Sequence, residues 1–224
     1  MDSIFRFLPV ITTILAAIFA FEISALYRKW KTKYLLWWTI GIINFGIGTL
    51  SESINIFYGW SELNLKFWYI TGAVLGGFTI AQGTAYFVLP NKLADRFTLF
   101  WVIYIGVAMT CIILSPAAPS EDSKGVLTGA DFQWEWVRYF SPFINAYAFV
   151  FSFGGGVYSA NKYFQQITKE SRFIGCIYIS VGSLAPSIGG IYTKMGYIDI
   201  LFITELVGLG LIYKGFKIIK EDDF

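Results

Sequence analysis

The chain divides into seven apolar stretches, each about as long as a bilayer core is thick, and this repetition restricts its fold more than any motif does. A hydrocarbon core of about 30 Å needs roughly 20 helical residues, because lipid offers no partner to a bare peptide group and each span must satisfy its own backbone. The stretches are 7–27, 34–58, 67–89, 97–115, 139–160, 173–193 and 197–214. With 56% apolar and 14% charged residues and a mean hydropathy of +0.59, the composition excludes an ordinary soluble domain, a disordered chain and a nucleic-acid binder. The expected fold class is an all-α integral membrane protein, a single seven-helix domain with the lipid bilayer as its solvent and the cell membrane as its expected location.

Charge placement orients the spans, since cytoplasmic loops retain Lys and Arg. The loops after helices 1, 3 and 5 and the C-terminal tail hold 12 of the 17 basic residues, among them Arg28, Lys29, Lys33, Lys92, Lys169, Lys217 and Lys220. The opposite side keeps Arg6, Lys66, Lys124, Arg138 and Lys194. The N-terminus is therefore expected outside and the C-terminus inside. Tryptophans fall where interfacial anchors belong, with Trp37, Trp38 and Trp101 toward the inner boundary and Trp60, Trp68, Trp134 and Trp136 toward the outer one. The first stretch, 21 residues long and preceded by Asp2 as well as Arg6, reads as a span rather than a secretory signal.

Self-comparison relates helices 1–3 to helices 5–7 at a nearly constant offset. Ile40, Gly41, Gly48, Leu50, Ser53 and Tyr58 of helix 2 meet Ile174, Gly175, Gly182, Leu184, Ser187 and Tyr192 of helix 6, all 134 residues on. In helix 3, Tyr69-Ile70-Thr71, Val74 and Gly77 meet Phe202-Ile203-Thr204, Val207 and Gly210, 133 residues on. The implied plan is 3+1+3: repeat A over 7–89, a linker helix at 97–115, an outer loop at 116–138 and repeat B over 139–214. Two triplets that both start outside need one extra span to return the chain, and helix 4 supplies it.

This plan resembles, in architecture, the SWEET sugar transporters and related PQ-loop proteins, and it is similar also to microbial rhodopsins. The motifs depart from both. Helices 1 and 5 carry no Pro-Gln pair, and helix 7 has no Lys between Asp199 and Tyr213, so no retinal Schiff base is expected. Pro9, Pro142 and Pro186 partly match the hinge prolines of SWEETs, although the repeat partner of Pro186 is Glu52.

Acids at membrane depth cost about 2.5–3.5 kcal/mol on insertion scales, so each marks a place to look for function. Glu205, near the middle of helix 7, stands where repeat A has Gly72. Together with Glu52, Asn145, Tyr147, Ser183 and Ser187 it is expected to line a polar cavity that opens outward and takes a substrate or proton. Pro186 removes a backbone hydrogen bond beside Gly189 and Gly190, which makes helix 6 a candidate hinge. Glu22 and Gln82 are the inner-side polar candidates, Glu22 pairing with Arg28 or Lys29 on its own helix. The many glycines read first as close helix packing. The outer loop, with Glu121, Asp122, Asp131 and Glu135 interleaved with Trp134 and Trp136, reads as a solvated segment or a surface lid.

Zero His and two distant cysteines, Cys111 and Cys176, leave no metal site, haem site or redox pair, so no cofactor is expected. The chain offers no nucleophile or acid–base pair of an enzyme. Movement of a small solute or proton fits best. The alternatives are a ligand-sensing module without flux, or an accessory, oligomer-forming subunit of a larger membrane complex.

Overall fold

The computed structural model describes residues 5–120, 126–164, 170–194 and 198–223, with the side chains of 191, 194, 222 and 223 excepted. Glu121, Asp122, Lys124 and Lys169 lie outside the described residues, as does the side chain of Lys194. The described residues form seven helical rods: α1 (Leu8–Trp30), α2 (Lys33–Tyr58), α3 (62–88), α4 (Asn91–Leu114), α5 (140–164), α6 (Glu170–Lys194) and α7 (Ile198–Asp223). The fold is all-α, with no strand among the described residues. Four of the rods, α1, α2, α4 and α6, are long and apolar enough to cross a bilayer on length and composition alone.

Local chemistry places the rod ends. Pro9 sits in the first turn of α1, where its missing N–H costs nothing. Lys31 closes α1 in the left-handed conformation at φ 51°, and Gly59 ends α2 at φ 85°. Ser61 caps α3 by accepting from the Asn64 N–H at 3.2 Å. Several rods overrun the apolar stretches that announce them, α7 by nine residues to Asp223. A helix satisfies its own backbone in water as well as in lipid, so the end of an apolar run marks the bilayer boundary and not the end of the helix.

Two rods contain a wide turn. Tyr69–Gly76 of α3 and Phe149–Gly154 of α5 are π-helical, with α-helix on either side. Each is rich in small residues at its end, Gly76 and Gly77 in one and Gly154 to Gly156 in the other. Such turns concentrate at functional sites.

Six rods close a ring in the order α1, α2, α3, α5, α6, α7, with α7 returning to α1; α4 lies outside, against α3. One apolar cluster centres on α3, α4 and α5, where Phe78, Trp101, Ile144 and Tyr147 meet. A second joins α1, α2 and α7 through Phe19, Ile23, Ile42 and Leu209. Outside the ring the rods present bare apolar side chains, for example Phe21, Leu99 and Phe143, each more than 60% exposed. Neighbouring helices gain no hydrophobic drive from lipid, so the ring holds by close approach and by hydrogen bonds.

Close approach is most developed between α6 and α7. Gly175, Gly182 and Gly189 are seven residues apart and face Gly215, Gly208 and Leu201, also seven apart, in antiparallel order. A side chain at Gly182 would begin 2.7 Å from the Gly208 carbonyl oxygen, and one at Gly175 2.9 Å from that of Gly215. In the α2–α3 hairpin Gly41 and Gly48 do the same work against Ile80 and Gly72.

Candidate functional site

We call the ends of the bundle the loop end, where 115–139 connects α4 to α5, and the basic end, where α1 meets α2 and α7 finishes. Toward the loop end, the side chains of Glu52 of α2 and Glu205 of α7 come together inside the ring, on the two rods that flank α1. Glu52 is 5% exposed. Its Oε1 accepts the indole N–H of Trp68, from the first turns of α3, at 3.0 Å. The second oxygens of both acids, Glu52 Oε2 and Glu205 Oε2, are buried and have no protein partner. Carboxylates only accept, so a bond between two of them needs a proton on one.

The neighbouring hydroxyls are turned toward their own helix. Ser51 donates to the Ile47 carbonyl at 3.0 Å and Ser53 to that of Thr49 at 2.9 Å. Thr13 of α1 and Thr49 of α2 join their hydroxyls at 2.9 Å and stitch these two rods together one turn below the acids. The pair therefore sits where α2, α3 and α7 face one another, held by one fixed N–H donor.

The other expected cavity residues go elsewhere. Tyr147 faces α3 and α4: its hydroxyl donates to Gln82 Oε1 at 2.6 Å, and its ring packs on Phe78, Trp101 and Phe151. Asn145 is exposed, with its Oδ1 4.0 Å from where a side chain at Gly77 would begin. Ser183 donates to the Ser180 carbonyl of its own helix at 2.8 Å, and Ser187 is exposed. Of the six residues expected around one cavity, the structure brings two together.

Gln82 is fully buried and is the hub of a second network. Its amide donates to the Ala94 carbonyl at 3.1 Å and to Thr98 Oγ1 at 2.8 Å while its oxygen takes the Tyr147 proton. Thr98 and the Tyr86 hydroxyl are 2.9 Å apart, and Tyr86 donates to Asp95, which is salt-bridged to Lys33 at 2.6 Å. One continuous chain of bonds thus runs from the centre of α5 through α3 and α4 to the start of α2. The sequence singled out Gln82 but not Tyr86, a tyrosine near the end of the third apolar stretch, or Asp95, which lies between stretches.

Glu22 pairs with the neighbouring rod α7 and not along its own helix. Tyr213 of α7 donates to Glu22 Oε1 at 2.6 Å, with Lys220 Nζ at 3.0 Å and Lys217 Nζ at 3.4 Å. Arg28 and Lys29, six and seven residues on, were the expected partners. Phe19, one turn back, packs with tilted rings against Tyr213 and Phe216, which directs this face of α1 toward α7.

The candidate hinge is tightly packed. α6 runs through Pro186 without a break in helix, and the proline ring lies 3.0 Å from where a side chain at Gly208 would begin. Gly189 is pressed against Thr204 and Leu201, whereas Gly190 faces open space.

The outer loop is folded in at part of its described length, while Gln133, Trp134, Glu135 and Trp136 are exposed. Asp131 is 2% exposed and accepts from Trp60 Nε1 at 2.8 Å and from the Ser120 N–H and hydroxyl at 3.0 and 2.9 Å. Phe132 packs edge-on against Tyr69 at 5.1 Å, and Leu127 and Val137 are buried with it. The segment is a folded cap on α3, α4 and α5. The chain matches no family model, no curated protein and no solved structure.

Proposed function

We propose that this chain crosses the membrane seven times, as two like-oriented triplets joined by α4, and carries a small solute or proton at the site where the triplets meet. In this reading the N-terminus and the cap lie outside, the basic end lies inside, the cell membrane is the host, and the protein is a carrier rather than an enzyme. The observation that carries it is the meeting of Glu52 from the first triplet with Glu205 from the second, two acids at membrane depth on the rods that flank α1. Intramembrane acids facing a bundle interior are features of substrate and proton pathways.

Support for the repeat comes from packing. Gly41 and Gly48 of α2 and their counterparts 134 residues on, Gly175 and Gly182 of α6, all face the helix that follows them. Support for the orientation comes from the placement of Lys and Arg.

The test is flux in vesicles reconstituted with the whole chain. Transport of protons or of a solute panel is expected to fall to the level of protein-free vesicles in Glu205→Gln. Wild-type vesicles indistinguishable from protein-free ones across the panel would remove the carrier reading.

A further inference from the structure

We infer that the occupant exchanged at the Glu52–Glu205 pair is a single proton, shared between the facing carboxyl groups, so that this chain moves protons, alone or with a solute. The inference rests on the carrier reading and names its cargo.

The donor and acceptor balance points there. Two acceptor-only groups face each other, one N–H from Trp68 is fixed on Glu52 Oε1, and both remaining Oε2 atoms are buried with no protein partner. One hydrogen placed between the carboxyls satisfies the contact. A metal cation fits poorly: calcium takes six to eight oxygens, whereas no third Asp, Glu or Cys joins the pair among the described residues. The Ser51 and Ser53 hydroxyls are bonded to their own helix, and the Trp68 dipole turns its positive end toward the site. Among the described side chains no cation pairs with either acid. The other charged groups toward the loop end, among the described side chains, are Arg6 ahead of α1, Glu62 and Lys66 of α3, bonded to each other at 2.7 Å, Asp131 and the Glu135–Arg138 pair of the cap, and Asp199 at the start of α7.

The charge balances simply. With the proton bound, the pair is one carboxylic acid and one carboxylate and carries one negative charge. When the proton leaves, two carboxylates face each other with two, and like charges at this range in a poorly screened site push α2 and α7 apart. Each turnover carries one positive charge.

The test uses the full chain in vesicles of neutral phospholipid loaded with a pH-sensitive dye, with a pH gradient imposed in sodium-free buffer. Acidification faster than in protein-free vesicles, abolished in Glu52→Gln and in Glu205→Gln and partly restored in Glu205→Asp, is the expected result. In parallel, the infrared spectrum of the wild-type protein is expected to show a carboxylic-acid carbonyl band at neutral pH that shifts in heavy water and weakens in Glu205→Gln, a readout that needs no flux. Thermal stabilisation by sodium or magnesium chloride over an osmotically matched control, lost in both Gln variants, would reassign the site to a metal cation. Solute flux indifferent to pH, without the infrared band, would overturn the proton and leave the carrier. Absence of all flux with the band present would overturn the carrier and keep a proton-sharing pair.

Discussion

Tyr147 of α5 donates its hydroxyl proton to Gln82 of α3 at 2.6 Å, and through Gln82 the same bond network reaches Thr98 of α4. Three rods are tied at one buried amide.

Removing that amide leaves the Tyr147 hydroxyl without its acceptor and Thr98 without a donor, and a buried polar group left unpaired costs about 1–3 kcal/mol. Gln82→Leu is expected to destabilise the protein by that amount. Tyr147→Phe, which removes the donor but keeps the ring on Phe78 and Trp101, costs about 0.5–1.5 kcal/mol. Equilibrium unfolding in mixed micelles measures both. Equal and negligible effects would mean that the network does not hold these helices.

Trp68 gives Glu52 its N–H from another helix, and Trp68→Phe withdraws it while keeping an aromatic ring. We expect a loss of about 1–3 kcal/mol in the same assay. Combined with Glu52→Leu, which leaves no acceptor for the indole N–H, the double variant should lose less than the sum of the singles, because both remove the same bond. Strict additivity would show that the two residues act independently.

The α6–α7 seam makes a prediction with an internal control. Gly182→Ala places a methyl 2.7 Å from the Gly208 carbonyl oxygen and should cost about 1–3 kcal/mol. Gly190→Ala and Gly210→Ala, where nothing lies within 4 Å, should be neutral or stabilising by up to about 1 kcal/mol through helix propensity. Thermal melting of the three variants ranks them, and a Gly182 variant as stable as the others would contradict the seam.

At the loop end, outside the spans, the Lys66 ammonium holds the Glu62 carboxyl below the ordinary carboxylate range, first through its hydrogen bond and then through its charge. A depressed acid stabilises the fold above its ordinary value of about 4.3 and loses that contribution as pH falls through the lowered one. The melting-temperature difference between wild type and Glu62→Gln should therefore narrow between about pH 6 and about pH 3. It is small throughout, since the pair is exposed. A difference that widens in acid would reverse the assignment.

Hydropathy located all seven rods and put Glu52 and Glu205 at compatible depths, because an apolar run reports position along the bilayer normal. It carries no rotation about the helix axis. Each residue turns an α-helix by about 100°, so Tyr147, assigned to the same depth as Glu52, points instead at Gln82, and Glu22 points at Lys220 rather than Lys29. The wide turns in α3 and α5 add to this, since each changes the facing of everything beyond it. The seven-residue glycine spacing of α6 and α7 was present in the chain as text, but it acquires meaning once the two lines are known to run antiparallel. Trp68 read as an interfacial anchor; its position as a donor-only side chain level with a buried acid was the available sign of its bond to Glu52.

The glycine seam bears on how such a ring can open. With backbone close against the facing helix at three points seven residues apart, α6 and α7 form a stiff plate that resists bending at Pro186. The yielding joint is then the seam between α7 and α1, fastened at the basic end by Glu22 with Tyr213, Lys217 and Lys220. That fastening is ionic and partly exposed to solvent, so raising ionic strength weakens the hold of α1 on the rod that carries Glu205.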